Sequence, residues 1–334
     1  MSGLNIAVLP ISGPMFAAQI GIGIELTSCG WDPSIMLTAS GGGIAGHIFN
    51  ASDCNPNKIF ETSGLLSSDL FCRKWFPYGS FYGYYHGYTK EGCLFNSGRG
   101  VSELLRSVYS PDLIGKREIW SLTYNDTRKK AQLFCNRSSS QIRGINVVPE
   151  QDIYQIDKHY YCDEDIDLIA KVVIASASVP GLVPPQIIDD CSYQDGGLSC
   201  ASPMSLMADV FNQYEKLHIT YVNCSDINEE TQGKPIIKTL PMEMNEARKT
   251  VLRHVTIHDR AACYNLINRP TKECFDLTEE NYRYVQHVQK SKKRTLLEVY
   301  TTETTGVNIV NFTGSDLQNY LLKNKGSYLC RFWH

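Results

Sequence analysis

The sequence predicts an α/β protein in three layers, α/β/α, with helices on both faces of a mostly parallel central sheet. Two strand–turn–helix units within the first fifty residues carry this prediction, because such units build parallel sheets. The length agrees: 334 residues suffice for one large α/β domain or two medium ones.

The elements follow in order. Asn5–Leu9 is a short apolar run ended by Pro10, the first predicted strand. After the loop Pro10-Ile11-Ser12-Gly13-Pro14, the stretch from Met15 to Cys29 reads as a helix apolar nearly all round, hence buried, with Gly30 suited to its C-terminal cap. Ser34–Thr38 is the second strand, and it runs through Ala39-Ser40-Gly41-Gly42-Gly43 into a helix over Ile44–Asn50. Phe76 to Tyr85 is crowded with Tyr, Phe and Gly, read as a packed aromatic loop or an apolar lid. Glu118–Tyr124 and Ala131–Cys135 are predicted as a hairpin, Ile166–Ala175 as a helix and His218–Val222 as another strand. The remainder is predicted as helices over Met242–Leu266 and Glu279–Leu297, a strand over Val307–Phe312, and a last helix over Ser315–Lys323 capped by Ser315 with Asp316. No repeat or linker divides the chain, so residues 1–334 read as a single domain, with a core over 1–230 and a C-terminal part over 231–334.

Composition excludes several classes. Hydrophobic residues at 43% and charged residues at 20% are ordinary for a soluble globular protein. A formal net charge of −3 leaves no basic field for nucleic acid. The N-terminus lacks the basic and long apolar regions of a secretory signal, and no apolar run approaches the roughly eighteen residues of a membrane span. A cytoplasmic protein touching membranes only peripherally is therefore expected. The 12 cysteines include no Cys-x-x-Cys pair, so no zinc site is expected and the thiols read as reduced. Sequons at Asn50, Asn125, Asn136, Asn223 and Asn311 read as chance matches. No metal constellation is visible. Lys290, Lys292, Lys293 and Arg294 form a basic cluster, read as a solvated helix face in preference to an anionic-lipid site.

Three segments bear on chemistry. In Leu37-Thr38-Ala39-Ser40-Gly41-Gly42-Gly43 a serine sits in a strand-to-helix turn, where nucleophile elbows place it. Taken alone, such a run is equally a phosphate-binding or plain turn. Tyr193-Gln194-Asp195-Gly196-Gly197 taken alone is a turn. The string Ala175-Ser176-Ala177-Ser178-Val179-Pro180-Gly181-Leu182-Val183-Pro184-Pro185 has no such bland explanation.

Together, in this order, the three segments resemble the patatin-like phospholipases. The likeness is close over Ala175–Pro185 and Asp195–Gly197, reaches Leu198 and Pro203, and includes Ala18-Gln19-Ile20-Gly21; it spans residues 5 to 225 with gaps. It implies a patatin-like fold and a lipid acyl hydrolase, of phospholipase A or esterase type, acting on a phospholipid or other acyl ester without metal or other cofactor. Ser40 would be the nucleophile and Asp195 its base, with no histidine between them. A carboxylate of ordinary pKa near 4 is a weak base at neutral pH, so it must sit at hydrogen-bond distance in a partly desolvated pocket. The oxyanion hole would come from backbone N–H groups of Ser12, Gly13 and Gly41.

The chain departs from the family pattern in three places. The glycine- and arginine-bearing loop reads Ile11-Ser12-Gly13-Pro14-Met15-Phe16, and Pro14 has no N–H to donate. Thr38 stands for the elbow's first glycine, and Ala201 for a frequent asparagine. One lost oxyanion donor costs about 3–4 kcal/mol elsewhere, so a second reading is a catalytically impaired descendant that binds lipid or a protein partner. A third, a Ser-His-Asp hydrolase, needs a late histidine such as His287 or His334; His47, two turns beyond Ser40, reads as packing or solvent-facing. Nothing in the residues selects a head group, an acyl position or an oligomeric state.

Overall fold

The structure is a computed structural model that describes residues 3–73, 93, 95–97, 100–142, 160–223, 255–267, 284–290, 294–301 and 311–324. In chain order the first part comprises β1 (Leu4–Leu9), a 3-10 turn (Gly13–Met15), α1 (Phe16–Ser28), β2 (Ile35–Ala39), α2 (Gly41–Ala51), α3 (Pro56–Ser63) and α4 (Val101–Val108). Then follow β3 (Glu118–Asn125), β4 (Lys130–Cys135), β5 (Tyr160–Tyr161), α5 (Ile166–Ser176), β6 (Gln186–Ile188), β7 (Cys191–Asp195), α6 (Met204–Asn212) and β8 (Leu217–Asn223). The described chain closes with α7 (residues 255–266), β9 (Tyr284–Lys290), β10 (Arg294–Thr301) and α8 (Gly314–Lys323).

One sheet runs in the order β9-β10-β8-β1-β2-β3-β4-β5. Its middle, β10-β8-β1-β2-β3, is wholly parallel, whereas β9 on β10 and β4 on β3 are antiparallel. Successive strand residues face opposite layers. Ala7, Leu9, Met36, Ile119, Val222 and Val299 join the core shared with α1, α2, α5 and α8. Their neighbours Ile6, Val8, Ile35, Leu37, Trp120 and Ile219 join the core beneath α6 and α7. These are the three predicted layers. Within them α1 is buried almost throughout, as its unbroken apolarity required; it lies against α2, α3 and α8, and a Cβ at Gly23 would fall 2.2 Å from the Phe49 ring.

Two expectations are corrected. The helix predicted over Glu279–Leu297 is instead the antiparallel pair β9 and β10. Val285, Val288, Thr295 and Val299 are β-branched, and β10 finds an open parallel partner in β8, which outweighs the helical charge pattern. The cap of α8 is Thr313, not Ser315: its hydroxyl accepts the Asp316 amide while the Asp316 carboxylate accepts the Thr313 amide. Ser315 already lies inside the helix. The expected helix Met242–Leu266 is described over residues 255–266 only. The aromatic segment 76–85 and nearly all of the strand expected over Val307–Phe312 lie outside the described residues. No helix among the described residues is long and apolar enough to cross a membrane.

Candidate active site

β2 ends at Ala39, the chain reverses at Ser40 with φ 52° and ψ −127°, and α2 begins at Gly41. A non-glycine residue held there costs of the order of 1–3 kcal/mol. The small residues around it are a packing requirement. A Cβ at Gly42 would lie 2.0 Å from the Leu9 carbonyl oxygen, and one at Gly41 would lie 2.5 Å from Ser12 Oγ. Thr38, where a glycine is expected, fits because room is made on the helix: a Cβ at Gly46 would lie 2.8 Å from Thr38 Cγ2.

Ser40 and Asp195, 155 residues apart, meet because two strands share one edge of β3. Along that edge β2 pairs in parallel until Ala39 faces Leu122, and β7 arrives antiparallel with Asp195 facing Thr123. The strand ends abut there. Ser40 Oγ donates to Asp195 Oδ2 at 2.8 Å, and Asp195 Oδ1 accepts the Gly197 amide at 2.7 Å. Both residues are buried, at 5% and 6% exposure. A Cβ at Gly196 would lie 2.3 Å from the Leu122 carbonyl oxygen, so the turn after Asp195 admits only glycine.

The loop after β1 lies against Gly41: a Cβ there would lie 2.5 Å from Ser12 Oγ and 3.0 Å from the Gly13 carbonyl oxygen. Gly13 has φ 49°. Three hydrogen bonds brace the loop: Ser12 Oγ donates to Gln19 Oε1 at 2.9 Å, Gln19 Nε2 donates to the Pro10 carbonyl at 3.0 Å, and the Ile11 amide donates to the Ala201 carbonyl at 2.9 Å. The last ties this loop to the segment that follows Asp195.

The string Ala175–Pro185, to which the sequence alone assigns no role, acquires one here. Ser176 Oγ accepts the Ser40 amide at 2.9 Å and donates to the Leu122 carbonyl at 2.7 Å. The Ser178 carbonyl accepts the Asp195 amide at 3.0 Å. The unusual composition of the string was the available signal; its partners were not visible in sequence.

Other groups are set aside by their surroundings. His47 is buried against Tyr109 with Nδ1 2.9 Å from the phenol oxygen, and burial lowers its pKa to about 4, so it packs. His218 is engaged with Thr295 at 2.7 Å, and the side chains of His287 and His334 lie outside the described ones. Burial pushes the thiols of Cys54, Cys162 and Cys200 up to about 12, which leaves them protonated and poorly nucleophilic. Arg294 of the basic cluster is buried and donates to the carbonyls of Asn212, Tyr214 and Leu266, so it belongs neither to a solvated face nor to a lipid patch. No group of three or more His, Cys, Asp or Glu among the described residues is placed to hold a metal ion. A cavity of about 360 Å³ lies between α6 and α7, away from Ser40 and Asp195.

The family described as patatin-like phospholipase matches residues 13–207, which include the elbow, the α5 string and Asp195. No curated protein matches the sequence. Among solved structures, VipD from Legionella pneumophila aligns over 96% of this chain and 67% of its own at 12% identity, with a TM-score of 0.35.

Proposed function

From the premise that the chain belongs to the patatin-like phospholipase family, we propose that it is a lipid acyl hydrolase, of phospholipase A or esterase type, working through a Ser40–Asp195 dyad. The observation that carries this reading is the 2.8 Å hydrogen bond from Ser40 Oγ to a buried Asp195 carboxylate, made at the tip of a left-handed strand-to-helix turn. A serine is activated by a base within hydrogen-bond reach, and here the carboxylate touches the hydroxyl directly. Ser40 Oγ adds to the ester carbonyl while its proton passes to Asp195, and the protonated Asp195 returns that proton to the departing alcohol. Water then adds to the acyl carbonyl as Asp195 takes its proton; the bond to Ser40 Oγ breaks, Asp195 passes the proton to Ser40 Oγ, and the carboxylic acid leaves with both side chains restored. The oxyanion is held by backbone N–H groups of Gly41, Gly13 and Ser12. The substrate is a phospholipid or another acyl ester, met by peripheral contact with a membrane. The sheet, whose strands span residues 4 to 301, supports reading the chain as one domain.

A fluorophosphonate probe should label wild type at Ser40 and not Ser40→Ala. Hydrolysis of p-nitrophenyl acyl esters should fall by more than about a thousandfold in Ser40→Ala and strongly in Asp195→Asn. Wild type that neither labels nor hydrolyses sinks the proposal, in favour of a family member that binds lipid or a partner without turning it over. Undiminished labelling of Asp195→Asn removes the base role.

A further inference from the structure

We propose that Ser176 is a positioning residue: its hydroxyl locks the Ser40 backbone in the left-handed turn, and the Ser178 carbonyl two residues on holds Asp195 against it. The inference rests on the dyad proposed above, but its geometry is separate. Serine hydroxyls near helix ends usually bond a carbonyl of their own helix, as Ser178 Oγ does with Ile174 at 2.8 Å. Ser176 does otherwise. Fully buried, it reaches out of α5, accepts the Ser40 N–H and donates to Leu122 of β3. Leu122 faces Ala39 on β2, and its neighbour Thr123 faces Asp195 on β7. One hydroxyl thus ties together the strand that both halves of the dyad pair with and the amide of the nucleophile itself. The last turn of α5 spans the gap between the two, from the side chain of Ser176 to the main chain of Ser178.

Two consequences follow. The Ser40 amide is committed to Ser176, so it does not serve as an oxyanion donor, and that duty falls on Gly41 and the loop at Ser12 and Gly13. Without Ser176, the Ser40 amide loses its buried acceptor and the strained turn loses a tether. The serine can then relax out of line with Asp195 while the substrate-facing surface stays intact.

The test reads the Ser40 amide directly. In Ser176→Ala, hydrogen exchange at Ser40 should speed up by about tenfold or more, while amides of Leu37 and Thr38 in β2 keep their wild-type rates. In the same variant kcat for p-nitrophenyl butyrate should fall by about tenfold or more with KM within about twofold, because orientation and not binding is lost. Ser176→Thr, which keeps the hydroxyl, should recover most of both. Unchanged exchange at Ser40, or kcat within about twofold of wild type, overturns the inference. Should Ser176→Ala not fold, Ser176→Cys keeps the volume with a far weaker acceptor and is read against the same two outcomes; rapid exchange of the Ser40 amide in wild type overturns the inference without any variant. If wild type hydrolyses no ester, the dyad's chemistry fails, and the exchange experiment still decides whether Ser176 holds the turn.

Discussion

Thr38 occupies the position where a tight strand-to-helix turn ordinarily needs glycine, and its methyl group is tolerated because the missing volume sits on the helix instead. A Cβ at Gly46 would come within 2.8 Å of Thr38 Cγ2, so the two positions act as one packing unit. Gly46→Ala should therefore destabilise the protein by about 1–3 kcal/mol through overpacking. Adding Thr38→Ser, which removes only that methyl group, should recover most of the loss, and urea denaturation of the four forms reads the coupling. Additive effects would show that the two residues do not share the space. Sequence comparison at position 38 alone counts the threonine as damage to the elbow. The structure shows the same clearance achieved from the opposite side, so the departure does not weaken the placement of Ser40.

Among the elements, α7 shows how the second helical layer reaches the site. Its Asp259 is fully buried, and its carboxylate accepts Ser202 Oγ at 2.6 Å and the Ser205 amide at 3.0 Å, holding the start of α6. Ala201, next in line, accepts the Ile11 amide from the loop beside Gly41. Desolvation raises the Asp259 pKa from 3.8 to about 7 despite those two hydrogen bonds. The folded state thus binds this proton more tightly than the unfolded chain. The stability Asp259 contributes is complete below the unfolded value near 3.8 and is lost as pH rises to about 7. His47 works in the opposite sense: with its pKa lowered from 6.5 to about 4, its contribution is complete above 6.5 and lost as pH falls towards 4. Between pH 5 and pH 7.5, wild type should lose stability relative to Asp259→Asn, and His47, present in both, cancels in the difference. Parallel pH dependence of the two proteins in urea denaturation would remove Asp259 from this account.

Across the whole molecule, the sheet is completed from the C-terminal part of the chain, and one residue shows how firmly. Arg294 opens β10 and spends its guanidinium on the carbonyls of Asn212, Tyr214 and Leu266, joining β10 to the ends of α6 and α7. Arg294→Lys keeps the charge but not the planar fork, and should destabilise the protein by about 2–3 kcal/mol, read as a lower Tm. A variant with wild-type Tm would mean that this contact is dispensable. From sequence, Arg294 reads as part of a solvated helix face, since a basic residue beside other basic residues looks the same whether a strand or a helix carries it. The setting of Arg294 depends on β8 offering an open edge about seventy residues away.

By itself the sequence determined the α/β class, the first two strand–turn–helix units and the burial of α1, and it singled out Ser40 and Asp195 as candidates. Each of these rests on local patterns: apolar runs, small residues at forced turns, and a string too unusual to be incidental. The tertiary structure decided what those patterns could not hold. It brought Ser40 and Asp195 together on one edge of β3, because strand pairing joins residues by register and not by sequence distance. It made β9 and β10 strands, because an unpaired parallel edge outweighed local helical preference. And it gave Ser176 its partners, because a buried amide must find an acceptor, and which hydroxyl is within reach is settled only when α5 packs beside the elbow.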